Sequence, residues 1–374
     1  MSEKLFLDAV IDPLAATVIV EGEGNERTAR FDIAGVPRVD KLLVGKRASE
    51  VPTIVTRLCG LCPVTHHLAG MRALDQLVGS SDSMSEQAVQ LRRLLHAGSV
   101  LDTLAPRLLP DHGLEIRKFA KLVLRAAGCP GHFPDVAIPG GVHAHADADE
   151  VKRAAEGVST IRSLLPSQPV EPVEQHPPKL ADLFACDADG AADPLGKCIA
   201  ARFEGELHVF PAHDFYEHVR EQHPGAITPR PQVLIDGHWR DYRVGPVARF
   251  PHLSARDAQF ALVRSVLDDI EKLLQVPELL AEPVVVDNSL RDGTVTGIVD
   301  GPRGLLVHRY TVEDGNLIDC QILSPTAQNE GWLARMLTEA STSAEMEHAI
   351  RSADPCLPCT SAPEGAMNIN IERK

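Results

Sequence analysis

The chain has 374 residues, of which 44% are hydrophobic and 24% are charged, a composition typical of globular proteins. Its net charge of −15, from 52 acidic and 37 basic residues, argues against a nucleic-acid partner. No apolar run approaches the roughly 18–20 residues that span a membrane, and the N-terminus lacks the pattern of a secretory signal. These features predict a cytoplasmic protein with no direct membrane span.

Residues 1–48 are predicted to form an N-terminal β region. The stretches Ala16–Glu21 and Arg27–Ile33 are rich in β-branched residues, and the glycines between them indicate a turn, so we expect a hairpin within residues 5–35. Glu21 stands where the first strand enters that turn. Taken alone, such a residue is a solvated acid at the end of a strand.

The rest of the chain is predicted to be helical over 49–165, a mixed α/β insertion over 166–252, and helical and β over 253–374. Apolar periodicity places helices over 84–109 (kinked or ended by Pro106), 114–127, 149–165, 255–275 and 331–351, and β structure over about 292–323. The predicted fold class is α+β: a mainly helical core bundle with small antiparallel β regions. We treat residues 1–374 as one unit, because two related motifs near its two ends are expected to meet at a buried metal site.

Those motifs are Cys59-Gly-Leu-Cys62 and Cys356-Leu-Pro-Cys359, about 300 residues apart. Each places two thiols within reach of one metal ion. The first motif falls at a break in the helical pattern that contains Gly60 and Pro63, and Pro63 is expected in the first turn of a new helix. Four thiolates suit a closed zinc site, but also nickel or iron, and either pair alone is compatible with a thioredoxin-like redox motif. The four single cysteines, at 129, 186, 198 and 320, are interpreted as small, reduced core residues.

The residues around the motifs extend the pattern over nearly the whole chain. They are Arg57-x-Cys59-Gly60-x-Cys62-x-x-x-His66, Leu109-Pro110-Asp111, Pro139-Gly140-Gly141-Val142, Gly301-Pro302-Arg303-Gly304, His308, Pro325-Thr326-x-x-Asn329 and Asp354-Pro355-Cys356-x-x-Cys359. In this order the chain resembles the large, catalytic subunit of nickel–iron hydrogenases. The resemblance implies a reversible, heterolytic splitting of H2 into protons and electrons.

Residue roles follow from the resemblance alone. Cys59, Cys62, Cys356 and Cys359 would bind nickel, and Cys62 and Cys359 would also bridge to an iron that carries carbonyl and cyanide. Glu21 would relay protons near Cys356. Arg303 would lie over the open face of the metals beside Pro302, with Asp111 and Asp354 in contact with it. His66 is assigned to cofactor binding, within reach of a cysteine sulfur or as a buried structural histidine.

The chain departs from the family pattern in two places. Ala362 stands where His or Arg marks the cut made by a maturation protease, and the chain ends 15 residues after Cys359, so we hypothesise that it is not cleaved. Asp40 replaces the glutamate that binds the family's second, magnesium-type ion. A shorter carboxylate could still hold magnesium if water completes the ligand set.

The resemblance also implies partners. These are an iron–sulfur small subunit, further electron-transfer subunits that bind flavin, NAD(P) or another carrier, and the maturation proteins that supply carbonyl and cyanide. Two alternatives remain open at this point: a hydrogen sensor or a structural subunit of a redox complex with the same fold, and an electron-transfer module held together by zinc.

Overall fold

The structure is a computed structural model that describes residues 15–33, 39–78, 84–166, 180–224, 226, 228–284 and 287–373. The first part of the predicted N-terminal β region and most of the Pro-rich stretch near residue 170 lie outside these ranges. The helices are α1 Asp40–Leu43, α2 Val51–Leu58, α3 Pro63–Leu74, α4 Glu86–Leu108, α5 Gly113–Ala126, α6 Ala148–Leu164, α7 Phe215–His218, α8 Pro246–Arg249, α9 Ala255–Leu273, α10 Pro325–Gln328, α11 Glu330–Glu339 and α12 Ser343–Ala353. The strands are β1 Ala15–Glu21, β2 Thr28–Phe31, β3 Ala137–Ile138, β4 Gly141–Val142, β5 Ala181–Cys186, β6 Cys198–Phe203, β7 Glu206–Pro211, β8 Val219–Glu221, β9 Pro231–Ile235, β10 His238–Val244, β11 Gly293–Gly301, β12 Gly304–Glu313, β13 Asn316–Leu323 and β14 Asn368–Arg373.

A helical core surrounds α4, which packs against α5 and α9, while α6 packs on α5. Leucines at spacings of three and four along α4 are fully buried, among them Leu91, Leu94, Leu95, Leu101 and Leu104. The helix begins at the Ser85 cap, whose hydroxyl accepts a hydrogen bond from the Ala88 N–H. Pro106 lies in its last turn, so the helix ends two residues further on, as predicted. The predicted fold class, helices with small sheets, is confirmed.

Three larger sheets accompany the helices. One is a six-stranded mixed sheet of order β7-β6-β5-β10-β9-β8, and another is the antiparallel meander β11-β12-β13. The third has the order β14-β1-β2, in which β1 and β2 form the expected antiparallel hairpin. In that sheet β14 pairs in parallel with β1, so segments from near both ends of the chain lie side by side. Sequence periodicity gave no indication of β14.

The prediction of one helix over 331–351 is wrong. The structure has two helices, α11 and α12, separated by Ala340–Thr342. The second helix starts with a capping box: the Thr342 hydroxyl accepts from the Glu345 N–H, and the Glu345 carboxylate accepts from the Thr342 N–H. This reciprocal pair satisfies two N–H groups that would otherwise lack a partner, and it fixes a new helix start inside the apolar pattern.

Within the described ranges, the structure contains no helix with the length and apolar character that crossing a membrane would require. The organisation of residues 1–374 as one unit with the four predicted regions stays a prediction.

Candidate metal centre

Three cysteine sulfurs from opposite ends of the chain meet in the structure. The Sγ atoms of Cys59 and Cys62 are 3.5 Å apart, and Cys62 Sγ is 4.0 Å from Cys356 Sγ. All three sulfurs lie within 4.8 Å of one another. This spacing places three soft ligands around one point, as a bound metal ion requires.

The first cysteine motif lies at the junction of two helices. α2 ends at Leu58, and the Cys59 N–H donates to the Val55 carbonyl as the last bond of its final turn. Cys62 precedes α3, and Pro63 occupies the first position of that helix, where its missing N–H costs nothing. The start of α3 therefore follows directly from Cys62, as predicted from Pro63.

The second cysteine motif follows α12 through a left-handed residue. Asp354 ends α12 with φ of 43°, a conformation that aspartate tolerates better than most residues. The Cys356 N–H donates to Thr326 Oγ1 at 2.8 Å. Cys359 lies in a short turn, is buried, and has a thiol pKa raised by that burial. Its sulfur is not among the three that lie within 4.8 Å of one another, so its role as the fourth ligand stays a prediction.

Arg303 lies beside the cysteine sulfurs at the tip of the β11–β12 hairpin, and its side chain is only 5% exposed. Burial alone would lower the pKa of Arg303, but the Asp354 carboxylate and the sulfurs of Cys356, Cys62 and Cys59 raise it above its ordinary value. The guanidinium therefore stays charged. Among the described residues, its Nε and Nη1 have no hydrogen-bond partner.

Asp354 links this arginine to a second one. Its two carboxylate oxygens accept from Nη1 and Nη2 of Arg107 at 2.9 and 2.8 Å, and Arg303 Nε is 3.4 Å from its Oδ2. Burial alone would raise the pKa of Asp354, yet the two arginines lower it to about 2. The carboxylate is therefore ionised and holds Arg303 in place.

The hairpin reaches the cysteines because it carries glycine on both sides of its two-residue turn, Pro302-Arg303. A Cβ at position 301 would lie 2.7 Å from Thr65 Cγ2 on α3, so only glycine allows this close approach. Gly304 has φ of 119° and lies against the backbone of Gly245. Pro302 is buried in the turn beside Arg303.

The three thiols share their protons unequally. The pKa of Cys59 is lowered, chiefly because Cys356 and Cys62 donate hydrogen bonds to its sulfur, with a smaller contribution from His66. The pKa of Cys62 is raised by Cys356, by Cys59 and by burial. One negative charge is therefore readily accommodated, while further ionisation needs a cation among the sulfurs.

A buried chain of rings extends from this group. His66 Nδ1 is 3.0 Å from His308 Nε2, and His308 Nδ1 is 2.7 Å from the Tyr310 hydroxyl. His66 is thus a buried histidine that also helps to lower the pKa of the Cys59 thiol, and its assignment to cofactor binding stays a prediction. His67, by contrast, points away and accepts the Ala137 N–H at 3.0 Å.

The remaining predicted acids lie elsewhere. Glu21 ends β1 with its side chain half exposed and its Oε1 3.9 Å from Arg30 Nη2. Asp40 begins α1, where it adds to the effect of burial in raising the pKa of Cys320 to about 12. Asp111 is exposed in the turn before α5, and within the described ranges no hydrogen bond or ion pair joins it to Arg303. Their assigned roles stay predictions.

Two residues that hold the site received no role from the sequence. Arg107, rather than Asp111, completes the ion-pair cluster with Asp354. Thr326 holds the Cys356 main chain. Arg107 lies one helical turn before the Pro-Asp sequence, and only an expectation that a buried acid needs a cation could have singled it out. Thr326 belongs to the recognised Pro-Thr sequence, which was matched without a function.

The donor set fits a thiolate-bound metal group. Three clustered sulfurs, one of which readily ionises to a thiolate, favour a soft or borderline cation. Arg303 contributes a fixed positive charge and, at Nη1, an N–H group without a hydrogen-bond partner among the described residues, which suits an acceptor ligand of small size and negative charge. A bare zinc ion fits the sulfurs equally well but leaves Arg303 Nη1 without a partner.

Comparison with known proteins shows relatives along nearly the full length. The chain matches no protein-family model. It is 28% identical over 386 residues to the alpha subunit of coenzyme F420 hydrogenase of Methanothermobacter thermautotrophicus, covering 91% of this chain and 89% of that protein. It is 24% identical over 476 residues to the beta subunit of the NAD-reducing hydrogenase HoxS of Cupriavidus necator, covering 99% and 97%. It is 23% identical over 414 residues to the alpha subunit of sulfhydrogenase 2 of Pyrococcus furiosus, covering 92% and 95%.

Solved structures share the fold. An NAD+-reducing [NiFe]-hydrogenase in the H2-reduced state has a TM-score of 0.74 at 23% identity, with 90% of this chain and 93% of that chain covered. The Ni-Fe-Se hydrogenase from D. vulgaris Hildenborough in the reduced state has a TM-score of 0.66 at 17% identity, with 91% and 95% covered.

Proposed function

We propose that this chain, which belongs to the family of nickel–iron hydrogenase large subunits, is the catalytic subunit that splits H2 reversibly into protons and electrons. The observation that carries the proposal is the meeting of Cys59, Cys62 and Cys356 beside the buried, charged Arg303. Relatives named as hydrogenase or sulfhydrogenase subunits match along 91% to 99% of the chain, which supports the same conclusion.

Cys59, Cys62 and Cys356, together with Cys359 from the second motif, would hold nickel and an iron that carries carbonyl and cyanide ligands. When bound, this group supplies the Lewis-acid and redox chemistry that heterolytic splitting of H2 requires. The diatomic ligands are not encoded in the chain, so dedicated maturation proteins are expected to supply them. Pro302 and Arg303 would contact the group from the hairpin, and His66 would lie near Cys59.

The chain's own residues handle charge and protons. Arg303 stabilises negative charge in a buried place and orients an acceptor ligand through its Nη1, while Asp354 fixes its position through Nε. The Cys356 thiolate is the proposed base that first takes the proton at Sγ. Glu21 is the proposed next acceptor. Its strand supports this role, because Val18 and Val20 pack in the same apolar cluster as Cys359 and Ala353.

The electrons are proposed to leave through an iron–sulfur small subunit. Leu58, Leu61 and Phe133 are between 38% and 47% exposed near the first cysteine motif, an apolar surface that a partner would cover. His132 Nε2 lies 3.0 Å from the Gly60 carbonyl, so the loop that carries Phe133 is attached to that motif. Further subunits that bind flavin, NAD(P) or another carrier are proposed to pass the electrons on, with the complex in the cytoplasm and without nucleic acid.

Asp40 is the proposed ligand of a second, magnesium-type ion. Its carboxylate lies where it also raises the pKa of the partly buried Tyr216 and of the buried Cys320, so negative charge gathers at this place away from the cysteine sulfurs of the metal centre. Magnesium in the purified complex that disappears on Asp40→Ala, with nickel unchanged, supports this assignment. Nickel and magnesium lost together would contradict it.

The polypeptide is proposed to remain uncleaved after Cys359. The residues that follow the cysteine are tied into the fold: Arg351 donates to the carbonyls of Ala362 and Pro363, and β14 pairs with β1. The intact mass of the metal-loaded protein is expected to include every residue to Lys374. A mass that ends earlier contradicts this.

The test of the function combines metal analysis, infrared spectroscopy and turnover. The purified complex is expected to contain nickel, with iron in excess of it because the iron–sulfur subunit adds its own iron, to show cyanide and carbonyl bands, and to reduce a redox dye with H2. Zinc alone would contradict the proposal, and dye reduction too slow for catalysis would favour the alternative of a hydrogen sensor or structural subunit. Cys356→Ser is expected to lose nickel, whereas Cys320→Ala, at a buried cysteine outside the centre, keeps it.

A further inference from the structure

Two of the single cysteines face each other across a β ladder. Cys186 is the last residue of β5 and Cys198 the first of β6, and they are direct partners in the antiparallel register. Both lie on one face of the sheet, because Cys186 belongs to a small apolar cluster with Phe184 and Ala200 against which Cys198 packs. Directly opposed residues have Cα atoms about 4.5–5.5 Å apart, within the span of about 4.4–6.8 Å that a disulfide bridges.

The two cysteines flank the loop 187–197 at its base. This loop contacts the strand that leads to Arg303. Asp193 in the loop forms a bidentate ion pair with Arg93, at 3.0 and 2.6 Å. The Pro194 carbonyl accepts the Asp300 N–H at 3.0 Å, three residues before Arg303 on the same strand and turn. A disulfide at the base of the loop would hold the contact between the loop and the strand in its present position.

The two thiols differ in access. Cys198 is half-buried and lines a cleft of about 810 Å³, whereas Cys186 is fully buried. Burial and the neighbouring Cys198 raise the pKa of Cys186 to about 12, so it remains a thiol. A small reagent therefore reaches Cys198 first, and Cys186 can react only with a sulfur already attached to its neighbour.

We propose that Cys186 and Cys198 form a reversible redox-modification site for low-molecular-weight disulfides, such as glutathione disulfide. The Cys198 sulfur, losing its proton, attacks one sulfur of the reagent and releases one thiol. The Cys186 sulfur, losing its proton, then attacks the Cys198 sulfur of the mixed disulfide and releases the second thiol. Two protein thiols are oxidised to one disulfide, and the reagent is reduced to two thiols.

The test treats the reduced, metal-loaded protein with glutathione disulfide, quenches it with acid and maps the cysteines by peptide mass spectrometry. The expected product links Cys186 to Cys198 and releases two glutathione molecules, and dithiothreitol reverses it. The variant Cys186→Ser is expected to stop at a stable mixed disulfide on Cys198. Wild-type protein that also stops there, or in which neither cysteine reacts, would overturn the proposal.

A matched variant tests the register itself. Lys197→Cys combined with Cys198→Ser moves the thiol by one residue, to an exposed position in the bend before β6 that is not paired with β5. Because the new thiol no longer stands directly opposite Cys186 in the ladder, the link is expected to form at least about tenfold more slowly. An equal rate would mean that loop mobility, not the ladder, brings the sulfurs together, and the proposed site would not exist.

Discussion

Main-chain hydrogen bonds and a single distant side chain, His132 at the Gly60 carbonyl, hold the first cysteine motif in place, whereas several side chains from distant segments hold the second. Around the first motif, the Cys59 N–H donates to the Val55 carbonyl and the His66 N–H to the Cys62 carbonyl, all within ten or so residues. Around the second, Arg107 from α4 and Arg303 from the β11–β12 hairpin bind Asp354, and Thr326 from α10 binds the Cys356 N–H.

The difference indicates how each half of the metal site can fail. Ordinary side-chain substitutions cannot remove the main-chain bonds of the first motif. The second motif depends on three segments that are far apart in the sequence, so single substitutions at a distance should displace it.

Removing the Asp354 charge should have the largest effect. Asp354→Asn keeps the shape and tolerates the left-handed backbone, but it leaves the buried Arg303 without its counter-charge. Breaking a buried ion pair in this way costs about 3–5 kcal/mol. We expect a loss of this order in the free energy of unfolding, measured by chemical denaturation, together with loss of nickel.

Asp111→Asn provides the control for this substitution. The same chemical change at an exposed acid, without a described contact to Arg303, should alter the free energy of unfolding by no more than about 0.5 kcal/mol. A comparable loss in both variants would show that Asp111, as the sequence resemblance implies, also supports the arginine.

Glu21→Gln should act on the proton rather than on the fold. General acid–base groups contribute about 10²–10⁴-fold to the rate, so we expect at least about a 100-fold fall in H2 turnover and in proton exchange, with nickel content unchanged. Glu23→Gln, an exposed acid in the same loop, is the matched control. Normal turnover in Glu21→Gln would remove this residue from the proton path.

The two motifs also differ in how much of them the sequence predicted. The helix break at Cys59 and the helix start at Pro63 depend on local chemistry, so the sequence placed both correctly. The split between α11 and α12 was missed, because the apolar period continues through a capping box. The role of Arg107 was missed too, because its partner lies 247 positions away and no local pattern encodes that pairing.

Near the first motif, His67 makes a smaller contribution to the free energy of unfolding, and that contribution depends on pH. Burial, with help from Arg92 and His143, lowers the pKa of this histidine to about 3, and its neutral Nε2 accepts the Ala137 N–H. Below about pH 6.5 the unfolded chain binds a proton that the folded chain does not, so stability falls as pH decreases, by about 1.4 kcal/mol per unit for this group.

The variant His67→Gln keeps an acceptor for Ala137 but cannot titrate. Its free energy of unfolding, measured between pH 6.5 and 4, should fall less steeply than that of the wild type. The difference between the two slopes should be about 1.4 kcal/mol per pH unit. His96 and His308, which are also buried with lowered pKa values, keep the remaining slope. Identical slopes in the two proteins would mean that His67 is not held neutral.

Thr326→Val should have a smaller effect on the fold than Asp354→Asn, yet it isolates the asymmetry most directly. The change keeps the shape of the side chain and removes only the acceptor of the Cys356 N–H. An unpaired buried N–H costs about 1–3 kcal/mol. The variant Thr326→Ser, which keeps the hydroxyl, serves as the control.

Because the equivalent bond of the first motif ends on the Val55 carbonyl, Val55→Ala leaves it intact and should cost only the packing of two methyl groups. Nickel lost from Thr326→Val but kept by Val55→Ala would confirm the difference between the two motifs; equal retention would show that the bound centre itself holds Cys356.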